Sequence, residues 1–310
     1  MSNQYYIRNS TNQKAPDDRL NLVNSKIMQA FPPSDSLRQS LKDTRGLTDE
    51  QIDMFIASPI NAASVVEDVL AAGDIQANDL LGVPGIYLDK QSGTTGKGAI
   101  KFKTYTNTDC VIAVRNETGK VVALQARLKA TDSGPRYLWY SSKGRPGGVT
   151  SGAPMGVVPG KRSRKDGQEL RIAVCEGFFK AAAIARTLDV DYVVFCSGIQ
   201  NTSPFSKLVH RLARRKPFSL LIVPDMDFLT NREVMKAYAK LTGEAMQLTR
   251  DVSVLAWPVR FGKGFDDMLA AGGLAHCRMR PAAKFRDALY NEAARLGSPT
   301  LMDYIENCFD

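Results

Sequence analysis

Three groups of acidic residues follow apolar runs in the second half of the chain. Glu176 closes "RIAVC", Asp225 and Asp227 follow "FSLLIVP", and Asp266 and Asp267 come soon after "DVSVLAWP". A charge buried without a partner costs several kcal/mol or more, and carboxylates gathered together raise one another's pKa values. A hard divalent cation removes both costs. Mg2+ prefers oxygen ligands and keeps several waters, so two or three carboxylates completed by substrate phosphates suffice. Asp225 and Asp227 are spaced so that both side chains can share one side of an extended segment, with Met226 turned away. Taken singly, the acids have duller uses. Asp227 can cap or charge the first turn of the next helix, and Glu176 can sit at a helix N-terminus.

For these acids to meet, the runs before them must be strands of one sheet. From Arg171 onward, short apolar runs alternate with helical stretches: "RIAVC", "FFKAAAIARTL", "DYVVFCSG", then "FSLLIVPD", a long helix from about 231 to 249, and "DVSVLAWP". Strands joined by helical crossovers predict a parallel sheet covered on both faces. Sites in such sheets lie outside the carboxyl ends of the strands, where all three acidic groups fall.

The preceding segments differ in rhythm. From Leu20 to about Ala72 the pattern is helical, with Thr48 and Gln51 spaced as a capping box and Gly46 and Gly73 as stops. From Gly82 to about Val158 the signals are short strands and turns, including "CVIAVRNETGKVVALQARLKA" as two strands around a turn near Glu117–Gly119. The expected organisation is a disordered tail over 1–18, a helical module over 19–80, and a basic α+β subdomain over 81–165. An α/β domain over 166–275 and C-terminal helices over 276–310 follow.

The chain of 310 residues carries a net charge of +9. Ile100 to Leu170 holds thirteen Lys and Arg against five Asp and Glu, so nearly all the excess lies in that quarter. Such asymmetry predicts a polyanionic partner, nucleic acid first. Five scattered cysteines with no C-x-x-C spacing, and only two histidines, argue against a zinc site and for a reducing compartment. No apolar run reaches a membrane span, and the polar N-terminus lacks a signal core, which predicts a cytoplasmic protein. "SGTTGKG" is not a phosphate loop of the Walker type, because Gln91 stands where its first Gly belongs and Gly98 follows Lys97.

"VCEGFFKA", "IVPDMDF" and "GKGFDDMLAAGG" resemble the three signatures of the TOPRIM domain, the catalytic fold shared by bacterial-type primases, topoisomerases and some nucleases. Upstream, Gly119–Lys120–Val121, Arg127 and Pro135–Arg136–Tyr137–Leu138 resemble the primase segment that packs beside TOPRIM and holds the template. Arg45–Gly46–Leu47 and Pro84 to Tyr87 resemble steps in the TOPRIM-like primase modules of phages and mobile elements.

The resemblance implies a TOPRIM-like parallel sheet with flanking helices, preceded by a small basic α+β subdomain and an N-terminal helical module. It implies Glu176 as catalytic acid/base and Asp225 and Asp227 as Mg2+ ligands, with Asp266 and Asp267 as further candidates and Mn2+ as an alternative ion. Gly264 stands where the primase pattern has room for an acid. The function implied is a primase-like nucleotidyltransferase making short primers on single-stranded DNA. A TOPRIM nuclease is the alternative within the same chemistry, and a non-catalytic single-strand-binding replication module the alternative outside it.

Lys180 and Lys263 are the candidate phosphate contacts. Arg115, Arg127, Lys129, Arg136, Tyr137 and Trp139, with Tyr140, interleave cations for backbone phosphates with aromatic platforms for unstacked bases. The expected partners are a single-stranded template, nucleoside triphosphates and a separate replicative helicase, with the protein associated with the nucleoid.

Overall fold

The computed structural model describes residues 13–60, 65–71, 73–89, 99–130, 134–163, 167–199 and 202–309. Two units divide the chain, Met1–Pro154 and Met155–Asp310. Most of the expected tail, and the "SGTTGKG" stretch, lie outside the described residues.

In the first unit, α1 (Asp17–Ala30) opens with Asp17 and Asp18 facing the positive end of its dipole. Residues 13–18 do not form a disordered tail. Ala15 is buried and its N–H donates to Gly82 O at 2.8 Å, while Lys14 Nζ donates to Ser151 O at 2.7 Å. α2 (Asp35–Arg45) is capped by the Ser34 hydroxyl and stops at Gly46, which takes the left-handed φ of 60°. α3 (Asp49–Phe55) starts from the reciprocal box of Thr48 and Gln51 that the sequence predicts.

β1 (Ile56–Ala57), α4 (Val65–Ala71), the hairpin β2 (Ile86–Asp89) with β3 (Ala99–Phe102), and β4 (Thr108–Arg115), β5 (Val121–Leu128) and β6 (Tyr137–Trp139) complete this unit. Its main sheet is antiparallel in the order β1-β4-β5-β6. The helical stretch and the strands are not separate modules. Leu20, Val23 and Ile27 of α1 share one core with Val111, Ala113, Leu124, Ala126 and Tyr140, and β1 pairs with β4.

The second unit begins with β7 (Gly156–Pro159), then β8 (Leu170–Glu176), α5 (Phe178–Thr187), β9 (Tyr192–Cys196), α6 (Phe205–Ala213) and β10 (Phe218–Val223). α7 (Arg232–Leu248), β11 (Val252–Ala256), α8 (Phe265–Ala270), β12 (Arg278–Pro281), α9 (Ala282–Arg295) and α10 (Pro299–Phe309) follow. The sheet order is β12-β11-β10-β8-β9-β7. The four central strands are parallel, as their helical crossovers require. Both edges are antiparallel. β7 lies in the stretch the sequence assigns to the basic subdomain, yet it pairs with β9.

From β8 the chain crosses to β9 on one side. It then returns past β8 to β10 and continues to β11 on the other side. Connections therefore leave β8 and β10, which are neighbours, in opposite directions. That reversal opens a crevice at their carboxyl ends. Among the described residues no helix is long and apolar enough to cross a membrane.

Candidate active site at the carboxyl edge of the parallel sheet

Glu176 is the last residue of β8, and Asp225 lies two residues beyond Val223, the last of β10. Because Val223 is in register with Cys175, the crevice is bordered by these two acids. Gly177 makes the turn from β8 into α5 with φ 79°, a conformation that favours glycine, and its N–H donates to Cys196 O at 2.8 Å.

Asp225 is held from behind. Its backbone N–H donates to the hydroxyl of Tyr238 at 2.9 Å, and Tyr238 is fully buried in α7. Met226 is buried too, and its N–H donates to Lys263 O at 2.9 Å, tying the loop after β10 to the loop before α8. Asp227 does not cap α7, because Asn231 does so by accepting from Glu233 and Val234, but it does lie in the first turn of the short 3-10 helix Met226–Leu229. Asp267 does take a cap role: it is exposed and accepts from the Gly264 N–H at 3.4 Å.

The side chain of Asp225 is 4% exposed, and Lys180 Nζ sits 2.7 Å from its Oδ2. Lys263 Nζ lies 2.6 Å from Asp227 Oδ2 and 3.8 Å from Asp225 Oδ2. The other oxygens, Asp225 Oδ1 and Asp227 Oδ1, are buried with no hydrogen-bond partner. Asp266 neighbours both Lys180 and Arg186: burial lowers the Arg186 pKa and the Asp266 charge opposes that, while it adds to the upward pull on Lys180. Among the described residues no three His, Cys, Asp or Glu side chains gather closely enough to hold a metal by themselves.

The donor set still suits Mg2+. Two buried carboxylate oxygens without partners are hard ligands, and this ion takes one or two protein carboxylates with substrate phosphates and water. The residues that would hold it are Asp225 and Asp227.

Burial pushes the Glu176 carboxyl above the usual carboxylate range, Lys180 opposes this and Asp225 adds to it. Burial likewise raises Asp225, against the pull of Lys180 and Lys263. For Lys180, burial alone would lower the pKa, but the Asp225, Glu176 and Asp266 charges more than reverse it, so the ammonium stays protonated.

A raised carboxyl pKa has a definite sign in stability. The folded state favours the protonated form, and that contribution is full below the ordinary range and lost as pH rises through the raised value. Glu176→Gln is therefore expected to stabilise the metal-free protein at neutral pH, seen as a rise in Tm. The gain should vanish as the pH drops beneath the ordinary carboxylate range. Calorimetry across pH checks this, and a variant no more stable at neutral pH would show that the Glu176 charge carries no strain.

In the first unit, the candidate template residues have different surroundings. Arg127 is buried in an ion pair with Asp109, and it is in register with Cys110 and Tyr137 on the neighbouring strands. Arg115 donates to Met54 O at 2.9 Å and to Gly119 O at 2.7 Å, holding the β4–β5 turn. Lys129 is exposed, Trp139 is half-buried and Tyr137 is 36% exposed. Arg136 is half-buried, with one guanidinium nitrogen buried and without a hydrogen-bond partner. Tyr140 is no base platform: it is buried, stacked on Phe102 with ring centroids 5.1 Å apart.

Arg127→Ala leaves Asp109 without its cation and is expected to cost the unit about 2 kcal/mol, measured by urea unfolding. If stability is unchanged and the salt slope of single-strand binding falls by about one instead, Arg127 contacts phosphate.

The fold is that of the catalytic core of bacterial-type primases. A DnaG primase catalytic domain solved bound to ssDNA superposes with a TM-score of 0.58 at 18% identity, covering 94% of this chain and 97% of that one. The RNA polymerase domain of Mycobacterium tuberculosis primase DnaG gives 0.55 at 16% identity, covering 94% and 97%. The zinc-binding and RNA polymerase domains of Aquifex aeolicus primase give 0.56 at 14% identity, covering 96% of this chain and 73% of that one. No protein-family model and no curated protein matches the sequence.

Sequence reasoning missed Tyr238, whose hydroxyl fixes the Asp225 backbone. Its only sequence signal is a polar aromatic one helical face along from the cap Asn231. It also missed that Lys180 reaches Asp225, 45 residues away.

Proposed function

We propose that this chain is the catalytic core of a DNA primase that joins nucleoside triphosphates into short primers on single-stranded DNA. The observation that carries this reading is the pair of buried, unpartnered oxygens on Asp225 and Asp227, set beside Glu176 at the switch point of a primase-type sheet. Asp225 and Asp227 hold Mg2+, or Mn2+ in its place. That ion, when bound, offsets charge developing on the transferring phosphoryl group.

Glu176 takes the proton from the attacking 3′-hydroxyl, a task suited to a carboxyl whose pKa burial has raised. Lys263 is 56% exposed and free to swing from Asp227 toward a triphosphate. Lys129, Arg136, Tyr137 and Trp139 contribute cations and ring faces to the template. The protein works in the cytoplasm at the nucleoid with a separate helicase, and is of the kind found in the TOPRIM-like primase modules of phages and mobile elements.

A second reading, a binding module without catalysis, draws on the two ammonium groups that sit on the carboxylates. One assay separates the readings. The protein is incubated with Mg2+ and a single-stranded template, with and without nucleotides. Primers that need nucleotides support the proposal. Shortened template in both mixtures supports a nuclease. Neither product, together with no affinity for Mg2+ or Mn2+, supports the binding module.

A further inference from the structure

We propose that Lys180 is a built-in counter-cation that fills one cation position in the carboxylate cluster, so that the site takes a single divalent ion. This rests on the reading of Asp225 and Asp227 as metal ligands. Two observations converge on it.

The first is the placement of Lys180. It is the third residue of α5, and α5 has no acid in its first turn. A cation there opposes the helix dipole. The position is held by contact with Asp225 Oδ2 at 2.7 Å, on the oxygen opposite the unpartnered Oδ1. One oxygen of this carboxylate is thus already paired with a protein cation, and the other is buried and unpartnered.

The second is Gly264. It is the residue before α8, a cap position where Ser, Asp and Asn lead and Gly ranks with Thr. Its φ of −90° and ψ of 161° suit any residue, so the backbone does not require glycine. A Cβ there would stand 2.6 Å from Lys180 Cε and 2.7 Å from Asp266 Oδ1. A side chain at 264 would compete with the Lys180 stem for that space. The two positions form a matched pair, a lysine that reaches the carboxylates and a glycine that makes room for it.

Charge balance gives the same count. Asp225, Glu176 and Asp266 interact with Lys180, and Lys263 bridges Asp225 and Asp227. Four carboxylates against Lys180, Lys263 and the Arg186 that faces Asp266 leave one negative charge, which a single divalent ion more than neutralises. A second ion would sit against Lys180 with nothing to offset the repulsion.

The test counts Mn2+ bound by the full chain at neutral pH, using the electron paramagnetic resonance of the free ion. The wild type is expected to bind a single ion. Lys180→Asp is expected to bind a second. Lys180→Met is expected to keep the single ion but hold it about tenfold tighter, because a repelling charge is gone. Gly264→Ala keeps the lysine and pushes it off Asp225, and should also tighten binding severalfold. It carries the test if Lys180→Asp fails to fold by circular dichroism.

A second ion on the wild type, a single ion on folded Lys180→Asp, or unchanged affinity in both Lys180→Met and Gly264→Ala would overturn the inference while leaving the metal-site reading intact. No Mn2+ on the wild type would remove both.

Discussion

Asp227→Asn is expected to reduce primer synthesis by roughly 10³-fold with little change in stability. A bound cation contributes several kcal/mol to a phosphoryl transition state, and about 1.4 kcal/mol is a factor of ten. The variant replaces one carboxylate oxygen by an amide nitrogen and removes the charge that both the cation and Lys263 require. Because Lys263 is 56% exposed, water replaces that pair at a cost under about 1 kcal/mol. Asp225→Asn should be equally inactive but less stable, by about 2 kcal/mol, because leaving the half-buried Lys180 without its partner outweighs the relief of a carboxylate that burial strains. The two variants therefore match in activity and differ in Tm. Primer synthesis at the wild-type rate by Asp227→Asn would sink the assignment.

Gly243→Ala should destabilise the second unit by about 2 kcal/mol, although alanine is the better helix former by about 1 kcal/mol. Gly243 lies inside α7, where a Cβ would stand 1.7 Å from the carbonyl oxygen of Cys308 in α10. No rotamer relieves a clash with backbone, so α10 must lift off. Since α7 also carries Tyr238, a loosened α7 should lower primer synthesis as well. Denaturant unfolding of the variant checks the sign. A gain in stability would mean that α10 is not packed on α7 as described.

Much of the site was legible because its strands are buried on both faces and so appear as unbroken apolar runs. β8, β10 and β11 announce themselves this way, and the acids beyond Val223 and after β8 stand out as polar residues at their ends. The capping box of Thr48 and Gln51 was equally plain, since both partners lie within one turn.

The hidden parts depend on distant partners. Arg127 looked like a free basic residue until β4 brought Asp109 beside it. Tyr140 belongs to a run that alternates its faces, and only the core contributed by α1 decides which ring is inside. β12, "RMRP", is exposed along its whole length and has no apolar face to signal a strand. Asp267 and Asp266 are adjacent and identical in type, yet one caps a helix and the other neighbours Lys180. Only the fold of the loop before α8 separates them.

The antiparallel strand β7 also sets where this chain can be cut. Gly156–Pro159 pairs along β9, from Gly156 opposite Phe195 to Pro159 opposite Tyr192. A fragment starting at Leu170 would keep every acid of the crevice but strip the hydrogen-bonded neighbour from β9. That strand's inner residues are wholly apolar, and an uncovered edge of that kind recruits other chains. Such a fragment would precipitate or dimerise for reasons unrelated to its chemistry. A fragment starting just before Gly156 would carry its own cover on that edge.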